Sequence, residues 1–327
     1  VSQRRYLERI DYSTMKIKTC SVLLTTYHDA FLRRGGGEFE LISVSENLKA
    51  LGLIADIYGP YARSIDSYDA IIHFSVHSGG LALLRRVHDE GKPIILWPNL
   101  WLHENHPSAP PSEVEEMVKY SQTVVFKSRA ELDNFRNRYS VPDYKVKFVK
   151  NGVDESFLHH APKGVFSALY HITDYAISVG GIEPIKNQLT TIRALRSIST
   201  PIVFIGAPRN LEYYRKCKLE APPHHHFIDT IPYRSKVFRS ALADAALYLE
   251  LSFEPPGASA IEAALSGCQL LLPDMDWCRE HFGNYGIYVK PDNPEEIYQG
   301  FLATLNTRKK WLEPAPNLKE YVLPKAI

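Results

Sequence analysis

No uninterrupted apolar run in the 327 residues approaches the roughly 20 that a membrane-spanning helix needs. The opening residues Val1-Ser2-Gln3-Arg4-Arg5-Tyr6 lack the apolar core of a signal peptide. The expected location is the cytoplasm, with the inner face of the membrane, touched peripherally, as the variant of it. An excess of either charge is missing as well: 38 Lys and Arg stand against 37 Asp and Glu, a net charge of +1, which gives no general pull toward nucleic acid. Cysteine is scarce. Cys20, Cys217, Cys268 and Cys278 show no Cys-x-x-Cys spacing and no paired histidines, which excludes a disulfide framework and a zinc site and leaves free, buried or partly buried thiols. His224-His225-His226 is expected to be a solvated loop before a strand, because adjacent side chains point apart and do not converge on a metal. No repeat of solenoid length is present.

What the chain does contain is a globular composition, 45% hydrophobic and 23% charged, at a length that suits two domains. Short apolar runs alternate with helical patterns. Strands are expected at 17–26, 54–58, 70–75, 93–97, 123–126 and 145–149, with helices near 38–51, 81–89, 112–120 and 129–139. A second series has strands at 175–181, 201–206, 227–229, 245–253, 269–272 and 286–289, with helices near 187–197 and 294–305. Such alternation argues for parallel sheets covered on both faces. The expected fold class is α/β, two Rossmann-like doubly wound parallel-sheet domains facing across a cleft. Residues 1–160 form the first domain and 161–310 the second, with 155–174 largely linker and the tail 311–327 packing back on the first.

The chain is organised around Phe253-Glu254-Pro255-Pro256-Gly257-Ala258-Ser259-Ala260-Ile261-Glu262, which reads as strand, tight turn, helix. Gly257 admits a close backbone approach, and the amides that open the helix form an anion site together with the helix dipole. Glu254 at the strand end has no evident structural task, and ligand crevices of open α/β sheets lie at such ends. Glu262 has an alternative: Ser259-x-x-Glu262 is also a capping-box pattern. Lys186, at a helix start where a cation is unfavourable, implies an anion nearby.

Four ordered stretches resemble a known family. Glu254-x7-Glu262 is similar to the E-x7-E signature of retaining glycosyltransferases with the GT-B fold, of the glycosyltransferase family 4 type. Val179-Gly180-Gly181-Ile182-Glu183-Pro184-Ile185-Lys186-Asn187 resembles the family's glycine-arginine-to-lysine segment. Asn151-Gly152-Val153-Asp154 resembles its interdomain motif, and Gly35-Gly36-Gly37-Glu38 its N-terminal glycine loop. The resemblance implies transfer of a sugar from a nucleoside-diphosphate donor to an acceptor hydroxyl of a sugar, lipid-linked sugar or small molecule. It also implies that configuration is retained and that neither metal nor cofactor takes part.

Carried over by position, Glu254 would hold donor-sugar hydroxyls, Glu262 the ribose, and Lys186 the diphosphate. The amides of Gly257, Ala258, Ser259 and Ala260 would face the sugar or phosphate, the Gly36 region would lie under the diphosphate, and Thr230 and Ile231 would touch the base. Two departures stand out. Gly181 occupies the place of the family's arginine, so the missing phosphate donor is expected from Arg209 or from Arg33 or Arg34. Asn99 occupies the place of a histidine near the reacting sugar, with His103 four residues on. Those departures keep a second reading open, a weakly catalytic nucleotide-sugar binder that partners another transferase; a sugar-nucleotide epimerase on the same scaffold is a third. Asp274-x-Asp276 reads as a loop after a strand.

Overall fold

The computed structural model describes residues 19–32, 35–77, 79–103, 111–150, 152–158, 162–307 and 316–322. Arg33, Arg34 and Asn151 lie outside them, as do positions 1–18 and 104–110. The first half contains β1 (Ser21–Thr26), β2 (Ile54–Ile57), β3 (Ala70–Phe74), β4 (Ile94–Trp97), β5 (Thr123–Phe126) and β6 (Val146–Phe148). All pair in parallel in the order β2-β1-β3-β4-β5-β6. The second half contains β7 (Ala176–Val179), β8 (Ile202–Ile205), β9 (His225–Ile228), β10 (Leu247–Leu249), β11 (Leu270–Pro273) and β12 (Gly286–Val289). These are also parallel, in the order β12-β11-β10-β7-β8-β9.

Each connection is long enough for a helix, as parallel pairing requires. In the first half these are α1 (Gly36–Ala50), α2 (Leu81–Asp89), α3 (Pro111–Tyr120) and α4 (Arg129–Arg136). The second half has α5 (Val165–Tyr170), α6 (Gln188–Ala194), α7 (Leu211–Glu220), α8 (Lys236–Asp244), α9 (Ala258–Leu265), α10 (Asp276–Phe282) and α11 (Pro294–Thr307). Strands sandwiched between helix layers are apolar on both faces, so they read as continuous runs. Ile202–Ile205 is buried throughout, and alternate residues enter separate cores: Val203 and Ile205 on one face, Ile202 and Phe204 on the other. The first sheet divides in the same way, with Ile71 on one side and Ile72 and Phe74 on the other.

Winding reverses between β1 and β3 in the first sheet and between β7 and β10 in the second. Ligand crevices open at such reversals, beyond the carboxyl ends of the strands. The loops 27–32, 180–187 and 250–257 leave from there, and Gly181, Lys186, Glu254 and Gly257 lie on them.

Contacts lock the halves together. Glu280 of α10 accepts the amides of Arg129 and Ala130 at the start of α4, at 2.8 and 2.9 Å. Arg234 reaches Glu46 of α1 at 3.0 Å and Asp154 at 3.2 Å. In the tail, Leu318, Tyr321 and Val322 are buried in the core that contains α9, and the Val153 amide donates to the Tyr321 carbonyl at 2.8 Å.

Three expectations are corrected. The segment taken as linker contains α5, whose Phe166 is fully buried. His225 is not in a solvated loop but opens β9 and is buried. The strand expected over 245–253 narrows to β10, because Asn187 Nδ2 donates to the Leu251 carbonyl at 3.0 Å and the Phe253 amide to the Ile185 carbonyl at 2.9 Å, drawing the chain out of the sheet. No described helix is long and apolar enough to cross a membrane.

Candidate active site

The second-domain wall is built on close backbone contact. Gly206 has φ +154°, and a Cβ there would stand 2.0 Å from the Gly180 carbonyl oxygen, so the ends of β7 and β8 can meet only with glycine. The chain then turns through Pro184–Lys186 into Asn187, a left-handed residue with φ 57°. Its side-chain amide ties the carbonyls of Leu251 and Pro291 at 3.0 and 2.6 Å, fixing Lys186 beside the exit of β10.

Lys186 Nζ lies 2.8 Å from Glu250 Oε1 and 3.0 Å from Glu254 Oε1. The two carboxylates differ in environment: the Glu250 side chain is 3% exposed and Glu254 32%. Tyr248 donates its hydroxyl to the second Glu250 oxygen at 2.6 Å, and its own oxygen is 2.9 Å from the Ser259 hydroxyl. Burial alone would discharge the lysine, but Glu250 and then Glu254 outweigh it and hold the pKa above its ordinary value. The anion implied by a lysine at a helix start is therefore present in the protein itself. Glu250 escaped the sequence reading, although a carboxylate inside the apolar run Ala245–Phe253 was a visible signal.

Helix α9 begins at Ala258 with Gly257 as its N-cap, so Ser259 and Glu262 fall inside the helix and form no capping box. The first-turn amides of Ala258 and Ser259 have no carbonyl one turn back, and that of Ala260 reaches the Gly257 carbonyl at 3.3 Å. Glu262 is 2% exposed. Burial pushes its carboxyl up to about 7, while a hydrogen bond from Tyr233 pulls it down, Asp154 adds to the rise and Arg234 opposes it. An acid with a raised folded pKa contributes stability that is whole below the unfolded value, near 4.5, and is lost as pH climbs through about 7. The thermal midpoint of the native protein, measured against Glu262→Gln, is therefore expected to fall between about pH 5 and about pH 8. Parallel curves for the two proteins would mean that the buried acid does not titrate there.

The first-domain wall begins with the N-terminus of α1. Gly35 is its N-cap, and the Glu38 carboxylate accepts the Gly35 amide at 2.6 Å and the Tyr27 hydroxyl at 2.8 Å. Space around Gly36 is open. Arg209 comes across from the second domain: a Cβ on Gly181 would be 2.7 Å from Arg209 Cδ, and one on Gly35 1.6 Å from Nη2. The stem of Arg209 thus occupies the room that a side chain at 181 would need, and its guanidinium rests on the glycine loop of the opposite domain. Its ion pair with Glu183 is long, 3.4 Å.

Asn99 follows β4 in a left-handed conformation, φ 46°, and accepts from Lys127 Nζ at 2.6 Å. The His103 ring packs on Phe253, centroids 5.3 Å apart, which sets it next to the Glu254 loop. Thr230 is exposed and Ile231 buried just beyond β9. Asp274 is engaged by Arg279 at 2.8 Å.

No protein-family model and no curated protein matches this sequence. Solved structures do match. Sucrose-phosphate synthase of Thermosynechococcus elongatus superposes with a TM-score of 0.73 at 12% identity, over 92% of this chain and 94% of that one. Anabaena HepE, in complex with UDP and glucose, gives 0.71 at 16% identity, again over 92% and 94%. A glycosyltransferase of Rickettsia africae gives 0.62 at 14%, over 93% and 97%. The chain has the GT-B fold. At such identities the likeness reaches the architecture, two doubly wound sheets apposed at their switch points, and no further.

Proposed function

We propose that the protein is a retaining glycosyltransferase that moves a sugar from a nucleoside-diphosphate donor to an acceptor hydroxyl without a metal. The observation that carries this reading is the convergence of Glu254, Lys186 and Arg209 at the two switch points, beside the open N-termini of α1 and α9. The complex of Anabaena HepE with UDP and glucose, on the same fold, agrees with it.

In this reading Glu262, with Tyr233 beside it, binds the ribose, and the backbone at Thr230 and Ile231 meets the base. The diphosphate lies over Gly36 between Lys186 and Arg209, on either side of Gly180 and Gly181. Glu254 and the amides that follow Gly257 hold the donor sugar, with Asn99 and His103 on the facing wall. The anomeric carbon–oxygen bond breaks with both electrons passing to the diphosphate. The acceptor oxygen bonds to the same face of the ring, and its proton goes to the departing phosphate oxygen. Preorganised cations act where that charge develops, in a site that excludes water, and this is the largest effect such a site can supply. Lysine and arginine provide the positive charge that a metal would otherwise bring. A soluble donor suits a cytoplasmic enzyme working on its own or at the inner membrane face.

Incubation with UDP-, GDP- and ADP-sugars and a set of neutral sugars, followed by nucleotide assay and proton NMR of the product, tests the proposal. Expected are release of one nucleoside diphosphate and a glycoside with the donor's anomeric configuration. Saturable nucleotide binding without release, with or without acceptors, would instead support the weakly catalytic binder.

A further inference from the structure

The first-domain wall also bears a charged cluster built around Asn99. Lys127 stands at the carboxyl end of β5, Asn99 at that of β4, and Glu40 on α1. Lys127 Nζ donates to Asn99 Oδ1 at 2.6 Å and to Glu40 Oε2 at 3.2 Å, with both ion-pair side chains 13% exposed. Glu40 Oε1 is buried and has no hydrogen-bond partner among the described residues. Gly37 makes the arrangement possible, since a Cβ there would stand 2.9 Å from Asn99 Nδ2.

A pair this buried rarely repays its desolvation, and apolar residues of similar volume would fill the space as well. Glu131 has a structural task nearby, accepting the Lys127 amide at 2.5 Å at the start of α4. Glu40 Oε1 has none. Burial would discharge Lys127, but Glu40 and Glu131 keep it charged, and Glu254 acts on it from across the cleft. Asn99 stands against Gly37, next to the open Gly36, so the cluster borders the start of α1, over which the diphosphate is proposed to lie.

We infer that Lys127, Glu40 and Asn99 form the acceptor subsite, in which Lys127 donates to an acceptor hydroxyl oxygen and Glu40 Oε1 accepts that hydroxyl's or a neighbouring hydroxyl's proton. The inference rests on the glycosyl-transfer reading and adds the class of acceptor. Two carboxylates contact Lys127, Glu40 at its ammonium and Glu131 at its backbone amide, against the one positive charge. The local field is negative, so a neutral polyhydroxy acceptor is favoured and a phosphorylated or carboxylated one repelled. Neighbouring hydroxyls of a sugar match one donor and one orphaned acceptor.

The test compares glucose, galactose, mannose and maltose with glucose 6-phosphate and glucuronate as acceptors, using the nucleotide sugar that the native protein consumes. Neutral sugars are expected to be preferred. Lys127→Met and Glu40→Gln are each expected to raise the acceptor KM at least about tenfold, the loss of one charge-assisted hydrogen bond, while the dissociation constant for UDP stays within about twofold. Where Lys127→Met does not fold, Lys127→Met/Glu40→Leu replaces the pair by apolar volume and serves in its place. An unchanged acceptor KM, or a preference for the anionic sugars, overturns the subsite. A native protein that neither binds UDP nor releases nucleotide from any donor overturns the transfer reading instead, and the two failures are distinct.

Discussion

Glu254→Gln is expected to lower transfer at least about a hundredfold while the protein keeps its fold and its affinity for the free nucleoside diphosphate. The magnitude is that of removing one preorganised electrostatic contact from a reacting centre. Two observations make the separation possible. Glu254 is a third exposed and shares Lys186 with the fully buried Glu250, so its loss leaves the lysine neutralised and the loop in place. Solvent reaches Glu254 and screens its side of the pair, so little stability rests on it. The loop is held by other bonds, among them the Ser252 hydroxyl donating to the Glu254 carbonyl at 2.6 Å, which the substitution does not touch. Turnover with a nucleotide sugar, urea unfolding and calorimetric titration with UDP together check the claim. Turnover within about threefold of native would remove Glu254 from the reacting centre.

The architecture was legible because parallel sheets write themselves as short apolar runs, and the α2 boundaries at Leu81 and Asp89 follow directly from helical periodicity. Where the reading failed, a competing rule had prevailed. Ala245–Phe253 is apolar throughout except Glu250, and periodicity cannot tell a strand from a buried segment that leaves the sheet to satisfy Asn187. Ser259-x-x-Glu262 matches a capping box, yet Gly257 takes the N-cap position and moves both residues two positions inward. The six-residue α5 is too short for its pattern to stand out.

Glu254 and Lys186 were visible as residues whose chemistry had no local use. The Lys127–Glu40 pair was not, since its partners are 87 positions apart and only the order of β1, β3, β4 and β5 brings them together. Arg209 lies between these cases. A glycine in the place of an arginine suggested that some other cation was needed; Arg209 lies against Gly35 and Gly181, while Arg33 and Arg34 fall outside the described residues.

Lys186→Met is expected to damage both stability and turnover, and a second substitution separates the two. Removing the ammonium leaves Glu250, 3% exposed, as a buried carboxylate still supported by the Tyr248 hydroxyl at 2.6 Å and, more distantly, the Ser259 hydroxyl at 3.5 Å. Stranding one member of a buried pair typically costs about 3 kcal/mol or more, which should appear as an earlier urea midpoint. Lys186→Met/Glu250→Gln takes away the stranded charge and keeps an acceptor for Tyr248, so most of that loss is expected to return. Turnover should not return with it. A methionine offers nothing to the diphosphate as its bond to the sugar breaks, and both variants are expected at least about a hundredfold below native, with weaker binding of UDP. Arginine at 186 would not restore the rate, because its planar fork cannot occupy the compact space between two carboxylates 2.8 and 3.0 Å from one nitrogen. If the double variant recovered near-native turnover, Lys186 would be a counter-ion for Glu250 and nothing more, and the leaving diphosphate would depend on Arg209 and the helix N-termini alone.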